Sequence, residues 1–167
     1  VKAGQKCTAI RRIIVPKMHE QAAVEAISAR LSKTKVGLPD DDAVRMGAIV
    51  SLKDRDGVKA KVAELATEAE IVSGSLDPVD LISGEADRGA FMAPVLMHCA
   101  KPLDAEIVHS VEAFGPVATM MSYEDNQEAV ELARKGRGSL ASSLFTNDGG
   151  LVHEVVTGLA PFHGRVL

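Results

Sequence analysis

Cys7 lies in Gly4-Gln5-Lys6-Cys7-Thr8-Ala9, a loop-like segment that runs into a β-branched stretch, with Lys6, Arg11 and Arg12 close in sequence. The thiolate is the nucleophilic form of cysteine, nearby cations favour it, and it attacks electrophilic carbonyl carbons. The same residue also suits a plainer reading, a small unpaired thiol buried at a strand entrance. Cys99 ends the apolar run Pro94-Val95-Leu96-Met97-His98-Cys99, has no such loop, and reads as core. A second segment, Glu112-Ala113-Phe114-Gly115-Pro116, sets a carboxylate and a ring before Gly-Pro at the entrance to an apolar run. Its side chains are expected at the edge of a sheet, where α/β proteins form sites, although a plain turn with an exposed carboxylate fits too. His109 stands three residues before Glu112, which predicts a solvated pair on one helical face and too few ligands for a metal. His19, His98, His153 and His163 share no spacing and are given no role.

These residues need a frame to hold them. Ile10 to Val15 reads as a strand stopped by Pro16. From Lys17 to about Lys33, Ala23, Val24, Ile27 and Leu31 recur at helical steps and predict an amphipathic helix. Gly37 to Asp42 is a loop. Ser51 caps a second helix whose apolar face uses Val58, Val62, Leu65 and Ala66, with Gly57 weakening its start. Glu70 to Ser73 is a short strand, Gly74 to Gly89 is turn-rich, and Pro94 to Cys99 is a buried strand. A short helical segment after Pro102 leads to Val117 to Met121, an apolar run typical of a strand covered on both faces. Glu124 to Lys135 is a helix stopped by Gly136. Leu140 to Thr146 reads as a strand, a final helix runs to about Leu159, and Gly164 to Leu167 would be the last strand. Alternating strands and helices imply an α/β fold, a mostly parallel sheet with helices on both faces.

The 167 residues hold 19 Lys+Arg against 23 Asp+Glu, a net charge of −4. With one Tyr, four Phe and no Trp, the chain lacks the basic face and stacking rings of a nucleic-acid platform. A chain of this length buries about 70 % of the surface its unfolded form exposes and supports one domain without staples. Two cysteines make neither a disulfide framework nor a zinc ribbon, so a reducing, cytoplasmic setting is expected. No apolar run is long enough for a membrane span, and no signal peptide opens the chain. No glycine pattern of a phosphate cradle follows a strand; Gly136-Arg137-Gly138-Ser139 comes nearest but follows a helix.

Gly4-Gln5-Lys6-Cys7 resembles the nucleophile segment Gly-Gln-x-Cys of the aldehyde dehydrogenase superfamily. Glu112-Ala113-Phe114-Gly115-Pro116-Val117 resembles its Glu-x-Phe-Gly-Pro-Val segment. The order and separation of the two match as well, and the resemblance covers essentially the whole chain. Val44-Arg45-Met46-Gly47-Ala48, Gly138-Ser139-Leu140 and His163-Gly164-Arg165, with Arg11-Arg12-Ile13, are similar to one branch. That branch comprises bifunctional phenylacetate-degradation proteins that join a semialdehyde dehydrogenase to an oxepin-CoA hydrolase.

The resemblance implies a three-layer α-β-α catalytic domain over residues 1–167. It implies Cys7 as nucleophile toward an aldehyde, the oxyanion stabilised partly by the Cys7 backbone N–H, and NAD(P) as hydride acceptor, NADP by branch. Glu112 is implied as a ligand of the nicotinamide-ribose hydroxyls and Phe114 as packing beside them. It also implies a CoA-linked semialdehyde as substrate, a homo-oligomeric full-length protein, and a general base, an oxyanion Asn and a cofactor domain preceding Cys7. On that reading the chain is a catalytic-domain fragment without appreciable turnover. Two rival readings are a non-catalytic α/β interaction module with a structural Cys7, and a thiol hydrolase, which lacks a well-spaced His base.

Overall fold

The computed structural model describes residues 2–167. Strands β1 (Arg12–Pro16), β2 (Glu70–Ser73), β3 (Val95–Cys99) and β4 (Val117–Tyr123) form one sheet in the order β1-β4-β3-β2. β4 pairs in parallel with both β1 and β3, while β2 adds an antiparallel edge to β3. The helices are α1 (Glu20–Leu31), α2 (Leu52–Leu65), α3 (Ile107–Ser110), α4 (Asn126–Lys135) and α5 (Gly149–Leu159).

Register explains the layering, because side chains alternate across a strand. Arg12 and Thr119 pair, as do Met97 and Thr119, so they share a face with Ile14, Met121, Val95, Val117 and Cys99. That face joins one core with Val58, Val62 and Leu65 of α2 and Leu132 of α4. Leu96, His98 and Met120 take the opposite face, where His98 Nε2 hydrogen-bonds Glu20 of α1. Helices thus cover both faces, and the near-continuous apolar runs of β3 and β4 follow from it. Ser51 caps α2 by accepting the Asp54 N–H at 3.1 Å, and Asp125 and Asp148 do the same for α4 and α5.

Four expectations change. Leu140 to Thr146 and Gly164 to Leu167 are not strands of the sheet. They meet each other in two parallel bridges, Ser139↔His163 and Ser142↔Val166. Leu140, Phe145 and Leu167 point outward there, Phe145 being 90 % exposed, so the segments bury too little to extend a ladder. The stretch Glu20–Leu31 is helical, yet none of its residues is fully buried. Ala66 is the exposed C-cap of α2, not part of its apolar face. And His109 makes no solvated pair with Glu112: it is 2 % exposed.

The environment of His109 is a buried polar network. Arg12 Nη1 donates to the Leu132 carbonyl at 2.6 Å and to His109 Nδ1 at 3.0 Å, and its Nη2 donates to the Ala133 carbonyl at 2.9 Å. His109 Nε2 donates to the Pro102 carbonyl at 2.8 Å, which fixes the neutral imidazole with its proton on Nε2. The guanidinium satisfies the last carbonyls of α4, where a cation also meets the negative end of the helix dipole. Burial, then the adjacent Arg11, pushes Arg12 down to about 10. Gly136 is required here for space, since a Cβ on it would lie 2.1 Å from Arg12 Nη2. The left-handed residue after α4 is Arg137, at φ 53°.

Burial is the main reason the His109 pKa falls below its ordinary 6.5; the Pro102 hydrogen bond opposes this and the Arg12 charge reinforces it. The unfolded chain therefore takes up a proton at a pH where the folded one does not. Stability is retained above pH 6.5 and lost as the pH falls through and below it, by at most about 1.4 kcal/mol per pH unit for one proton. His109→Gln, which keeps an acceptor for Arg12, is expected to be less stable at pH 7.5 but to lose less on going to pH 5. Urea unfolding at the two pH values measures this, and an equal acid loss in both proteins contradicts it.

Candidate functional site

Two segments separated by more than a hundred residues meet at the amino ends of β1 and β4. The first is the turn Lys6-Cys7-Thr8-Ala9, closed by the Ala9 N–H donating to the Lys6 carbonyl at 2.8 Å. Parallel pairing of β1 with β4 carries the residues that precede both strands to one end of the sheet. Open α/β sheets usually bind ligands beyond the carboxyl ends of their strands. Here the candidate segments lie at the opposite end, so the general rule does not account for their placement.

The contact itself is backbone to backbone. Gly4 has φ +73°, and a Cβ on it would lie 2.1 Å from the Gly115 carbonyl oxygen and 2.5 Å from its carbon. Gly115 is hemmed in turn, since a Cβ there would stand 2.7 Å from Val58 of α2. Lys2, Ala3 and Phe114 also have positive φ, at 54°, 46° and 51°. Non-glycine residues in this region cost on the order of 1 kcal/mol or more each, so strain concentrates on both sides of the contact.

Further tethers fix the turn. Gln5 Oε1 accepts the Val50 N–H at 2.9 Å, tying the turn to the residue before the Ser51 cap of α2. Arg11 Nη1 donates to the Val111 carbonyl at 3.2 Å, and the Arg11 carbonyl accepts the Thr119 N–H at 2.8 Å. The sequence reading gave Gln5 and Arg11 no positioning role. Gln5 belongs to a motif, Arg11 is a cation near Cys7 and part of a second motif, and neither long-range partner leaves a local pattern.

Cys7 is exposed and Cys99 is buried. Burial pushes the Cys99 thiol up, and nearby Glu68 adds to the effect against a backbone hydrogen bond from Lys101. Glu112 is exposed, and Phe114 is 47 % exposed. Among the described residues, Cys7, Glu112 and Phe114 make no hydrogen bond to one another, and neither the Cys7 N–H nor the Glu112 carboxylate is engaged. The close approach of Gly4 to Gly115 joins the two segments, and the Cys7, Glu112 and Phe114 side chains are exposed. Two surface clefts lie elsewhere, one between α4 and α5 at Val130, Arg134 and His153, the other beside β2 at Glu68, His98 and Lys101. Among the described residues no group of His, Cys, Asp and Glu is arranged to hold a metal, and no helix is long and apolar enough to cross a membrane.

Known proteins resemble this chain along its length. The model of the aldehyde dehydrogenase family matches residues 1–162. The 3,4-dehydroadipyl-CoA semialdehyde dehydrogenase of Aromatoleum evansii is 43 % identical over 167 residues, 100 % of this chain and 32 % of its own. Protein MaoC of Klebsiella aerogenes is 44 % identical over 125 residues, 72 % of this chain and 35 % of its own. Betaine aldehyde dehydrogenase of Staphylococcus aureus in complex with NAD+ superimposes with a TM-score of 0.87 at 30 % identity, covering 99 % of this chain and 32 % of that one. A variant of it, with NAD+ and a BME-modified cysteine, gives 0.86. The chain therefore spans about a third of the length of the relatives it matches.

The glycine contact makes opposite predictions for two alanine substitutions. Gly4→Ala meets backbone at a positive φ and is expected to cost about 1–3 kcal/mol or more. Gly57, inside α2 with nothing within 4 Å of its would-be Cβ, is expected to gain about 0.5–1 kcal/mol on conversion to Ala. Urea denaturation measures both, and a neutral Gly4→Ala contradicts the close approach.

Proposed function

Because this chain belongs to the aldehyde dehydrogenase family, we propose that residues 1–167 form the nucleophile-bearing catalytic domain of a longer NAD(P)-dependent enzyme, with Cys7 as its nucleophile. The observation that carries the proposal is the Gly4–Gly115 contact, which joins an exposed thiol turn to the exposed Glu112 and Phe114. In this reading the Cys7 thiolate adds to the carbonyl carbon of an aldehyde and forms a thiohemiacetal. The oxyanion that develops on the former carbonyl oxygen accepts the free Cys7 N–H, a donor fixed before the reaction begins. NAD(P)+, when bound, would supply an acceptor for the hydride of the former aldehyde carbon, whose loss with re-formation of the carbonyl leaves a Cys7 thioester. Water then cleaves the Cys7 thioester, releasing the carboxylic acid and restoring the thiol.

The exposed residues fit the cofactor chemically. The unengaged Glu112 carboxylate can accept from both hydroxyls of a nicotinamide ribose, and the half-exposed Phe114 ring offers an apolar wall beside it. Glu112 is thus a binding residue and not the proton acceptor. NADP over NAD rests on the branch resemblance alone.

The substrate proposal is a CoA-linked semialdehyde of phenylacetate breakdown, supported by the name and 43 % identity of the Aromatoleum relative. The MaoC relative supports a bifunctional full-length protein, and we extend the branch resemblance to an oxepin-CoA hydrolase part, homo-oligomeric assembly and a cytoplasmic location. The general base and oxyanion Asn are assigned to chain preceding Cys7, so the 167 residues by themselves are held to lack turnover; loss of one oxyanion donor alone costs about 10²- to 10³-fold.

In the folded 167-residue chain, iodoacetamide is expected to alkylate Cys7 at least about tenfold faster than Cys99. In the chain extended to the full length of its relatives, aldehyde-dependent NAD(P)H formation is expected, and Cys7→Ala should lower kcat by on the order of 10³-fold or more with folding intact. A Cys7→Ala protein that keeps its dehydrogenase activity overturns the assignment.

A further inference from the structure

Cys7 lies between two attachment points, and the Glu112–Phe114 segment lies between the two places they reach. Gly4, before Cys7, abuts Gly115; Arg11, after it, donates to the Val111 carbonyl at 3.2 Å. Between Val111 and Gly115 the chain is neither helix nor strand, and among the described residues Glu112, Ala113 and Phe114 make no hydrogen bond. Ala113 packs against the core, and the hydrogen bonds and close backbone approach that place the segment act at its two ends. The Gly115 end is fixed by sterics from Gly4 and Val58. At the Val111 end the N–H is held by α3, through the Ile107 carbonyl at 2.9 Å, and the carbonyl is held by Arg11.

Arg11 and Arg12 are adjacent but leave the chain to opposite sides, as neighbouring extended residues do. Arg12 is committed to the end of α4 and to His109. Arg11 is half-buried, forms no ion pair among the described residues, and directs its one side-chain hydrogen bond at the residue before Glu112. The carbonyl it reaches is that of the C-cap residue of α3, where the chain leaves the helix for the Glu112–Phe114 segment, and no carboxylate pairs with Arg11 there among the described residues. Arg11 does hold the Val111 carbonyl at a fixed distance from the start of β1, which the Cys7 turn precedes.

Resting on the reading of Cys7 and Glu112 given above, we infer that Arg11 is a positioning residue: its hydrogen bond to the Val111 carbonyl sets Glu112 and Phe114 in register with the Cys7 turn, and through them the seating of the nicotinamide ribose. The Cys7 turn keeps its own tethers at Gly4 and Gln5, so loss of the Arg11 bond misplaces the cofactor segment while leaving the thiol in place.

The test uses the full-length chain carrying Arg11→Met or Arg11→Lys, with NAD(P)H affinity from its fluorescence on binding, the iodoacetamide rate at Cys7, and the melting temperature. Arg11→Met is expected to weaken NAD(P)H binding about tenfold, the loss of one charge-assisted hydrogen bond, with the Cys7 alkylation rate within about twofold of the parent. Arg11→Lys, which keeps a cationic donor, is expected to stay within about threefold of the parent. The Met-to-parent ratio should hold at about 0.5 M salt, where a through-space effect of the charge on the cofactor would be screened away. Unchanged NAD(P)H affinity in Arg11→Met, a ratio that collapses in salt, or parallel losses of affinity, alkylation and melting temperature each overturn the inference. Dehydrogenase activity surviving Cys7→Ala would instead remove the underlying reading of the site, whatever Arg11 does to cofactor affinity.

Discussion

Backbone reaches backbone where the turn before β1 meets the turn before β4, and no side chain could be inserted between them. The Gly4 φ of +73° and the 2.1 Å that would separate its Cβ from the Gly115 oxygen make glycine the residue that fits. From this contact outward the rest of the arrangement is constrained. Parallel pairing of β1 with β4 brings the two segments to the same end of the sheet, and the intervening β2, β3 and α2 close that long crossover. Val58 of α2 presses on Gly115 from behind, while the residue before the helix cap holds Gln5. One helix therefore braces both halves of the site, and the strained φ angles of Ala3 and Phe114 persist because the surrounding packing over-determines them.

The buried Arg12 network stabilises the far side of the same strand. Placing a guanidinium inside a protein is costly unless every donor finds a partner. Here two carbonyls at the end of α4 and the neutral His109 take its hydrogen bonds, and His109 donates its own Nε2–H to the Pro102 carbonyl. The network joins β1, α4 and the α3 region through groups that cannot separate without leaving a buried charge unpaired. The first residue of β1 is thereby fixed, which gives the Cys7 turn a rigid base although the turn itself is open to solvent. Rigid support beneath an exposed reactive group is what a site needs if a ligand is to complete it.

Much of this was legible in the residues. Ser51 as a cap, Glu70 to Ser73 as a strand and the doubly covered run from Val117 follow from local chemistry, and the structure reproduces them. Cys99 reads as core from its apolar run and is buried, whereas the residues around Cys7 suit both an open and a buried thiol, and the structure leaves it exposed. What failed depended on partners distant in sequence. Leu140 to Thr146 carries a strand-like pattern, but a pattern cannot reveal that its backbone bridges only to the Gly164 to Leu167 region among the described residues. His109 looked solvated beside Glu112 because the partner that buries it, Arg12, lies 97 residues away. Gly136 does end α4 as its C-cap, but the room Arg12 requires at that position has no local sign. Gln5 and Arg11 carried no local sign of the carbonyl and amide they reach.

The account stands or falls on the sulfur that becomes acylated. Single-turnover mixing of the full-length enzyme with aldehyde and NAD(P)+, an acid quench that preserves thioesters, and peptide mass spectrometry locates that acyl group directly. The account predicts the acyl mass on the peptide bearing Cys7, with none on the peptide bearing Cys99 and none after Cys7→Ala. Acyl label on another residue, or full turnover with Cys7 never acylated, would contradict it.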